Sequence, residues 1–359
     1  MNFTSLRATK RLCEAKLKMN GRSIFLIFLC LCVLIIVGCH ANIISMNERK
    51  MGYCFDAAYD PDRDRLYVAA GKAGLHIFDV VDGRLEYILT FHDDGYYRNI
   101  KIKDGRAFIA DTERGLVVLD ISKDTPVTKW IQGKVGEGLH IEEKTLFLAA
   151  GTGGFYIFDI TNQDEPRLYS HVTSVDQPWD VWVHQGLAYL ADINQGLVII
   201  DVTSPAQPKQ IGFLTWDEED PMAEVVRGEG NYVYIASGRH GLVVVDVADP
   251  TNPVIVSKYA PSPDSFGEGL FVSDHIVYLA IGDKRNHDEN GLHILDVSDP
   301  YSPKVLGKVL IDDWVEGVFV AGEYAFVTNT WSGVRVIDVQ YPEDTSLVDH
   351  FASVPEVSN

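Results

Sequence analysis

Cysteine is scarce in this chain. Of five, Cys13, Cys30 and Cys32 lie in the N-terminal lead and Cys39 at its end, so only Cys54 belongs to the body. A lone thiol makes no intramolecular disulfide, and no C-x-x-C pair is present for metal or redox chemistry. Cys54 reads as a small buried apolar residue. Basic charge is also short: 31 Lys+Arg stand against 51 Asp+Glu, a net charge of −20 over 359 residues. The lead takes six of the basic side chains (Arg7, Lys10, Arg11, Lys16, Lys18 and Arg22) and only Glu14, which leaves residues 39–359 with 25 basic and 50 acidic groups. Such a surface repels phosphate backbones, which excludes nucleic acid as a partner and leaves cations, Ca²⁺ and basic protein surfaces open.

Helical 3.6-residue periodicity is missing throughout the body. Missing too are the Gly-x-Ser-x-Gly elbow, Gly-x-Gly-x-x-Gly, His-Glu-x-x-His and the phosphate loop, so the common enzyme motifs give no reaction. Histidines such as His92, His140, His184, His240 and His275 show no metal-ligand spacing.

The single long apolar run, IFLIFLCLCVLIIV at 24–37, has 14 residues. A bilayer-spanning helix needs about 20, so the run reads as the core of an export signal rather than a span. Its exit, Ile36-Val37-Gly38-Cys39, resembles a bacterial lipobox, with Ile36 where Leu is usual. The resemblance implies lipidation of Cys39 and an exported, membrane-anchored chain facing the periplasm or the cell surface. The expected layout is a lipoprotein signal peptide at 1–38, a tether at 39–51, a folded body at 52–355 and a tail at 356–359. Met19 opens an ordinary short signal, so the first 18 residues read as an upstream start or a long basic lead.

One unit is written seven times in the body. GLHIFDV (74–80), GLVVLDI (115–121), GFYIFDI (154–160), GLVIIDV (196–202), GLVVVDV (241–247), GLHILDV (291–297) and GVRVIDV (333–339) carry Asp79, Asp120, Asp159, Asp201, Asp246, Asp296 and Asp338, spaced by 39 to 50 residues. Each copy follows an aromatic-led strand such as LYVAAG (66–71) and an earlier extended stretch such as DVWVHQG (180–186). A Ser/Thr-Asp/Asn-Pro linker and a fourth strand come after it, as in DPTNPVIVSKYA (249–260). The Gly-Leu-x-Val-x-Asp strand is apolar on both faces: Leu116 and Val118 point one way, Val117, Leu119 and Ile121 the other. Strands buried on both sides belong to sheets sandwiched between other sheets. Four short strands per unit and seven units predict an all-β fold, a seven-bladed β-propeller of four-stranded antiparallel blades. An open solenoid would need capping units, and neither end supplies one. The repeated Asp is assigned to structure, accepting backbone N–H groups of the following turn.

The pattern GLVVVDVADPTNPV at 241–254 resembles the LVIVD repeat, a family of exported or surface-attached β-propellers. Copy three (Gly154-Phe155) and copy seven (Gly333-Val334, then Gln340) depart slightly, and copy one lacks the proline. The resemblance implies fold and location and no shared reaction.

With consecutive antiparallel strands, the turn between second and third strands shares a face with the link to the next unit. That face varies from unit to unit, which is where recognition usually sits on a rigid scaffold. Two long excursions lie there, GDKRNHDENG (282–291) and TWDEEDPMAE (215–224). In the first, Asp283, Asn286, Asp288 and Glu289 are weak candidate ligands for Ca²⁺, without EF-hand spacing. Where the innermost strands begin, Arg98, Asn99, Glu137, Asp180, Glu224, Glu268 and Glu316 are the candidate channel-mouth residues, and Trp179, Trp314 and Trp331 the candidate rim aromatics. A carboxylate ring there would focus negative potential and take a cation or basic side chain. Alternatively its members cap strands or pair with Arg98, Arg227 or Arg239.

The first expectation is a non-enzymatic binding module for a protein, peptide or glycan. The second is a hydrolase or lyase acting on an extracellular polymer, with Arg239 and His240 joining the mouth carboxylates. The third is a passive structural subunit. No catalytic residue is assigned and no cofactor beyond Ca²⁺.

Overall fold

The computed structural model describes residues 48–133, 135–217, 219–283 and 288–355. The chain divides into two compact units, one spanning Lys50–Val354 and the other comprising residues 1–49 and 355–359. The expected signal peptide, Cys39 and the tail at 356–359 lie outside the described residues. Among the described residues no helix is long and apolar enough to cross a membrane.

The Lys50–Val354 unit is a seven-bladed β-propeller whose blades are four-stranded antiparallel sheets, each made of four strands consecutive in sequence. The innermost strands are Asp56–Asp60, Tyr97–Lys103, Gly138–Glu142, Pro178–His184, Val225–Glu229, Ser265–Ser273 and Val315–Ala321. They neighbour one another around the axis, and the first meets the last, so the ring is closed rather than an open solenoid. Among the described residues no blade takes a strand from the other end of the chain.

The first and seventh blades meet through side chains and hydrogen bonds, and the short strands Glu48–Lys50 and Ser353–Pro355 pair with each other as a separate two-stranded sheet. Cys54 N donates to Thr330 O at 3.2 Å, Thr328 Oγ1 to Phe55 O at 3.0 Å and Leu85 N to Asp349 Oδ2 at 2.8 Å. Beneath them Met51, Cys54, Leu66 and Phe78 of the first blade's side pack with Phe326, Val334 and Val336 of the seventh. Buried in that cluster, the Cys54 thiol is pushed up to about 12, which keeps it an apolar filler.

The same logic repeats at every junction. The third strand Gly115–Asp120 is buried along its whole length. Its Val117 and Leu119 join a cluster with the first blade, while Leu116 and Val118 join one with the third. Each such Val, Leu or Ile contributes about 1.5–3 kcal/mol by leaving water. Outermost strands such as Val127–Gln132 are mostly exposed, which fits the edge of a sheet.

The repeated motif has a local explanation at both ends. Its glycines have φ from +68° to +144°, and a Cβ on Gly196 or Gly241 would stand 2.6 or 2.2 Å from a carbonyl oxygen of the outermost strand. Only glycine enters the third strand there. At the other end Asp120, Asp159, Asp201, Asp246, Asp296 and Asp338 each accept the N–H two residues on, at 2.8 to 3.0 Å. Asp79 instead takes Arg65 Nε at 2.9 Å, because the first blade replaces the proline linker by a tight Asp82-Gly83 turn with positive φ at both residues.

Candidate functional site: the channel mouth

The face bearing the links between blades is also the face where the innermost strands begin. In blade order the mouth position is held by Phe55, Arg98, Glu137, Trp179, Glu224, Glu268 and Glu316, around a cavity of about 70 Å³. Asn99 and Asp180 line the same cavity one residue further in, so the structure brings all seven sequence-derived mouth residues together. In four blades backbone irregularity contributes. The pairing skips Arg98, Trp179, Glu268 and Glu316, as the register passes from Tyr97 to Asn99, Pro178 to Asp180, Gly267 to Gly269 and Val315 to Gly317. A β-bulge there re-aims the side chain, so two successive residues face the channel.

Six carboxylates and two guanidiniums surround the cavity. Arg98 crosses the mouth: its Nε lies 3.1 Å from Glu137 Oε2, an ion pair without hydrogen-bond geometry, and its guanidinium sits 4.5 Å from the Trp179 ring centre and 5.3 Å from that of Phe55. Burial pushes the Glu137 carboxyl above its ordinary range against the pull of Arg98. Burial raises Glu316 likewise, opposed by the Tyr53 hydroxyl that donates to its Oε1 at 2.6 Å and by the charge of Arg98.

One ring deeper, polar side chains tie neighbouring innermost strands. Asp56 Oδ2 accepts Ile100 N at 3.2 Å, Asn99 Oδ1 accepts Leu139 N at 3.3 Å, and Asp180 Oδ2 accepts Val226 N at 3.0 Å. Asp180 also pairs with Arg227. Asn99 and Asp180 thus have a structural role besides lining the cavity. Asp180 is 3% exposed, yet its Oδ1 has no hydrogen-bond partner, and neither has the buried Trp179 Nε1. Both groups can accept or donate one more bond.

The remaining candidates lie elsewhere. Of the three indoles only Trp179 lines the cavity. Trp331, 56% exposed, stands edge-on to Tyr53, and Trp314 packs against Phe266 and against the backbone of Gly282. Arg239 and His240 are not drawn to the mouth either. Arg239 pairs with Asp220, and His240 Nε2 lies 3.5 Å from Asp217 Oδ2, so both belong to the 215–224 excursion. In the 282–291 excursion Asn286 lies outside the described residues. Asp283 Oδ2 accepts from Ser262 Oγ at 3.2 Å, Glu289 pairs with Lys308 at 2.6 Å, and Asp288 is exposed. No group of three or more His, Cys, Asp or Glu among the described residues is arranged to hold a metal ion.

Sequence reasoning passed over Tyr53, Phe55 and Asp56 because the first blade carries no carboxylate at the mouth position. It passed over Asp192 as well, which takes four backbone N–H groups (Asp176, Gln177, Asn194 and Gln195) at 2.9 to 3.2 Å and shapes the variable face of the fourth blade. The Ala-Asp ending of AYLAD (188–192) was the available signal.

Comparison with known proteins adds family and fold. The model of the LVIVD repeat matches residues 94–128, 177–214, 222–260, 271–310 and 314–349, together just over half of the chain. These are blades two, four, five, six and seven. A curated relative, Intraflagellar transport protein 122 homolog of Danio rerio, is 25% identical over 155 residues, which span 43% of this chain and only 13% of that protein's length. Three solved structures share the architecture at low identity. The computationally designed Ika8 protein has a TM-score of 0.60 at 11% identity, covering 86% of this chain and 90% of its own. Saccharomyces cerevisiae Sqt1 has 0.61 at 11%, covering 84% and 86%, and U3-55K has 0.61 at 8%, covering 79% and 92%. Those likenesses concern the fold alone. On the repeat match, the chain belongs to the LVIVD repeat family.

Proposed function

We propose that this protein is an interaction module, exported and held to a membrane through lipidated Cys39, that binds a partner protein on the face carrying the variable links. The acidic mouth takes a lysine or arginine side chain of that partner. The observation that carries this reading is the excess of carboxylates around a small cavity in which the acceptor Asp180 Oδ1 lacks a partner. Arg98 illustrates the fit, since a guanidinium already lies there with a carboxylate at its edge and an indole on its face. Size favours a side-chain head over a larger ligand. The cavity of about 70 Å³ is far below the ~300 Å³ of small-molecule clefts. A polymer-cleaving site is less well supported, because Arg239 and His240 are committed to Asp220 and Asp217.

Thermal melts of the full-length protein in detergent with blocked Gly-Arg-Gly, Gly-Lys-Gly and Gly-citrulline-Gly peptides test the binding claim. At a hundred times its dissociation constant a ligand adds about 2.7 kcal/mol to stability. The arginine or lysine peptide should raise Tm, citrulline should not, and Glu137→Gln should reduce the rise. Equal shifts with all three peptides would refute it. Ca²⁺ in place of the peptides, with and without chelator, tests the cation class. Palmitate labelling that survives Cys39→Ala would refute the anchor.

A further inference from the structure

Beyond the mouth, the channel changes character. Three residues along each innermost strand from the mouth position stand Lys101, His140, Trp182, Arg227, Phe271 and Phe319. They line a second chamber of about 350 Å³, with Lys103 and Asp56. In a chain so rich in carboxylates this is a local inversion, three cationic side chains against one acid. Asp56 approaches Lys101 at 3.3 Å and Asp180 pairs with Arg227 from the mouth side. Half-buried Lys103 has no ion pair among the described residues. Burial and the charges of Arg227 and Lys101 hold His140 down to about 3, so the imidazole stays neutral beside them.

The other wall is aromatic. Trp182, Phe271 and Phe319 are only partly buried, and the two phenylalanine rings meet edge-on at 5.6 Å. Trp182 is pinned by its neighbours: it stacks on His184 at 5.3 Å, and its ring fills the space that a Cβ on Gly228 would need. Rigid, half-exposed rings leave apolar area for a ligand to cover, and the volume falls in the range of small-molecule clefts.

We infer that this chamber binds a compact aromatic carboxylate, its ring against Trp182, Phe271 and Phe319 and its anion on Lys103, since the three donors of Lys101 go to Asp56, Asn99 and the Ile100 carbonyl. A neutral ring would gain the apolar contact alone. A cation would meet Lys101, Lys103 and Arg227. The site differs from the proposed peptide contact at the mouth in sign of charge, in size and in position along the channel, and the two share Asp56 and Arg227 as a common wall.

The test is titration calorimetry on the full-length protein in detergent with 2-naphthoate, 2-naphthylmethanol and 2-naphthylmethylammonium. Naphthoate should bind about tenfold or more tighter than the alcohol, reflecting a charge-assisted hydrogen bond, and the ammonium should bind more weakly than both. Lys103→Gln should weaken naphthoate about fivefold to tenfold and leave the alcohol unchanged, while Lys209→Gln on an exposed outer strand should change neither. Lys103 makes no ion pair, so its variant should keep the parental Tm, which circular dichroism checks. Naphthoate binding no tighter than the alcohol would overturn the inference. So would a Lys103→Gln variant that binds naphthoate as the parent does, or a Lys209→Gln variant that loses as much.

Discussion

An apolar cluster joins the seventh blade to the first, and Phe326→Ala measures what it contributes to closing the ring. Phe326 is 1% exposed, lies 6.1 Å from the parallel ring of Tyr59, and packs in the cluster joining the seventh blade to the first. Truncating a buried phenylalanine costs about 3–5 kcal/mol, because the cavity persists in a packed surround. The closing hydrogen bonds of Cys54, Thr328 and Leu85 contribute about 1 kcal/mol each, so they cannot replace that loss. Set against the 5–15 kcal/mol typical of a domain, the variant should lose a large part of its margin. Phe147→Ala is the matched control: Phe147 is 2% exposed, stacks on Phe155 at 6.3 Å, and packs between the third and fourth blades, which the chain itself connects. Urea unfolding followed by tryptophan fluorescence should show similar losses of ΔG for both. Limited proteolysis should then find early cleavage in the first blade of Phe326→Ala only. A loss below about 1 kcal/mol for Phe326→Ala would refute the view that this cluster closes the ring.

Other consequences are open to direct measurement. A Cβ on Gly228 would stand 2.3 Å from the Trp182 ring, so Gly228→Ala should destabilise by about 1–3 kcal/mol in urea and blue-shift or quench the tryptophan signal. Asp192→Ala orphans four backbone donors on the variable face; a loss of about 2–5 kcal/mol is expected, and hydrogen exchange should rise at 176–177 and 194–195. Burial raises the folded-state pKa of Glu316, so its stabilising contribution is full below the unfolded value near 4.3 and is lost as pH rises through the folded value. Glu316→Gln should therefore raise Tm at pH 7–8 and lose that advantage by pH 4. Asp201 runs the other way. The Thr203 hydroxyl and N–H hold its carboxyl below the ordinary range, so what it contributes is present above about pH 4 and fades as pH falls through the lowered value. An Asp201→Asn variant should show a shallower acid limb in Tm.

Legibility in the sequence followed the chemistry that repeats. The Gly-x-x-x-x-Asp frame could be read because each end solves a problem local to one blade: a carbonyl that excludes a Cβ, and a turn N–H that needs an acceptor. The family match skips blades one and three, although both are four-stranded sheets like the rest. Blade one trades the proline linker for Asp82-Gly83, and blade three enters its third strand through the 3₁₀ turn Gly151–Gly153. A motif weakens where the backbone finds another way to make the same turn. The mouth residues were legible from counting to the start of each innermost strand. The lower chamber has no repeated motif to mark it, although every second residue onward from Asn99 leads through Lys101 to Lys103.

Sequence alone determined the number of blades, the path of the chain in each and the residues offered to the axis, because strand period, turn chemistry and two-faced burial are local. Only the tertiary structure decided which side chains share a cavity. Bulges at Arg98, Trp179, Glu268 and Glu316 set which residues of four blades face the mouth, while Arg239 and His240 went to the nearer Asp220 and Asp217. Those choices depend on which backbone turns and neighbouring strands come together in three dimensions, which no one-dimensional pattern encodes.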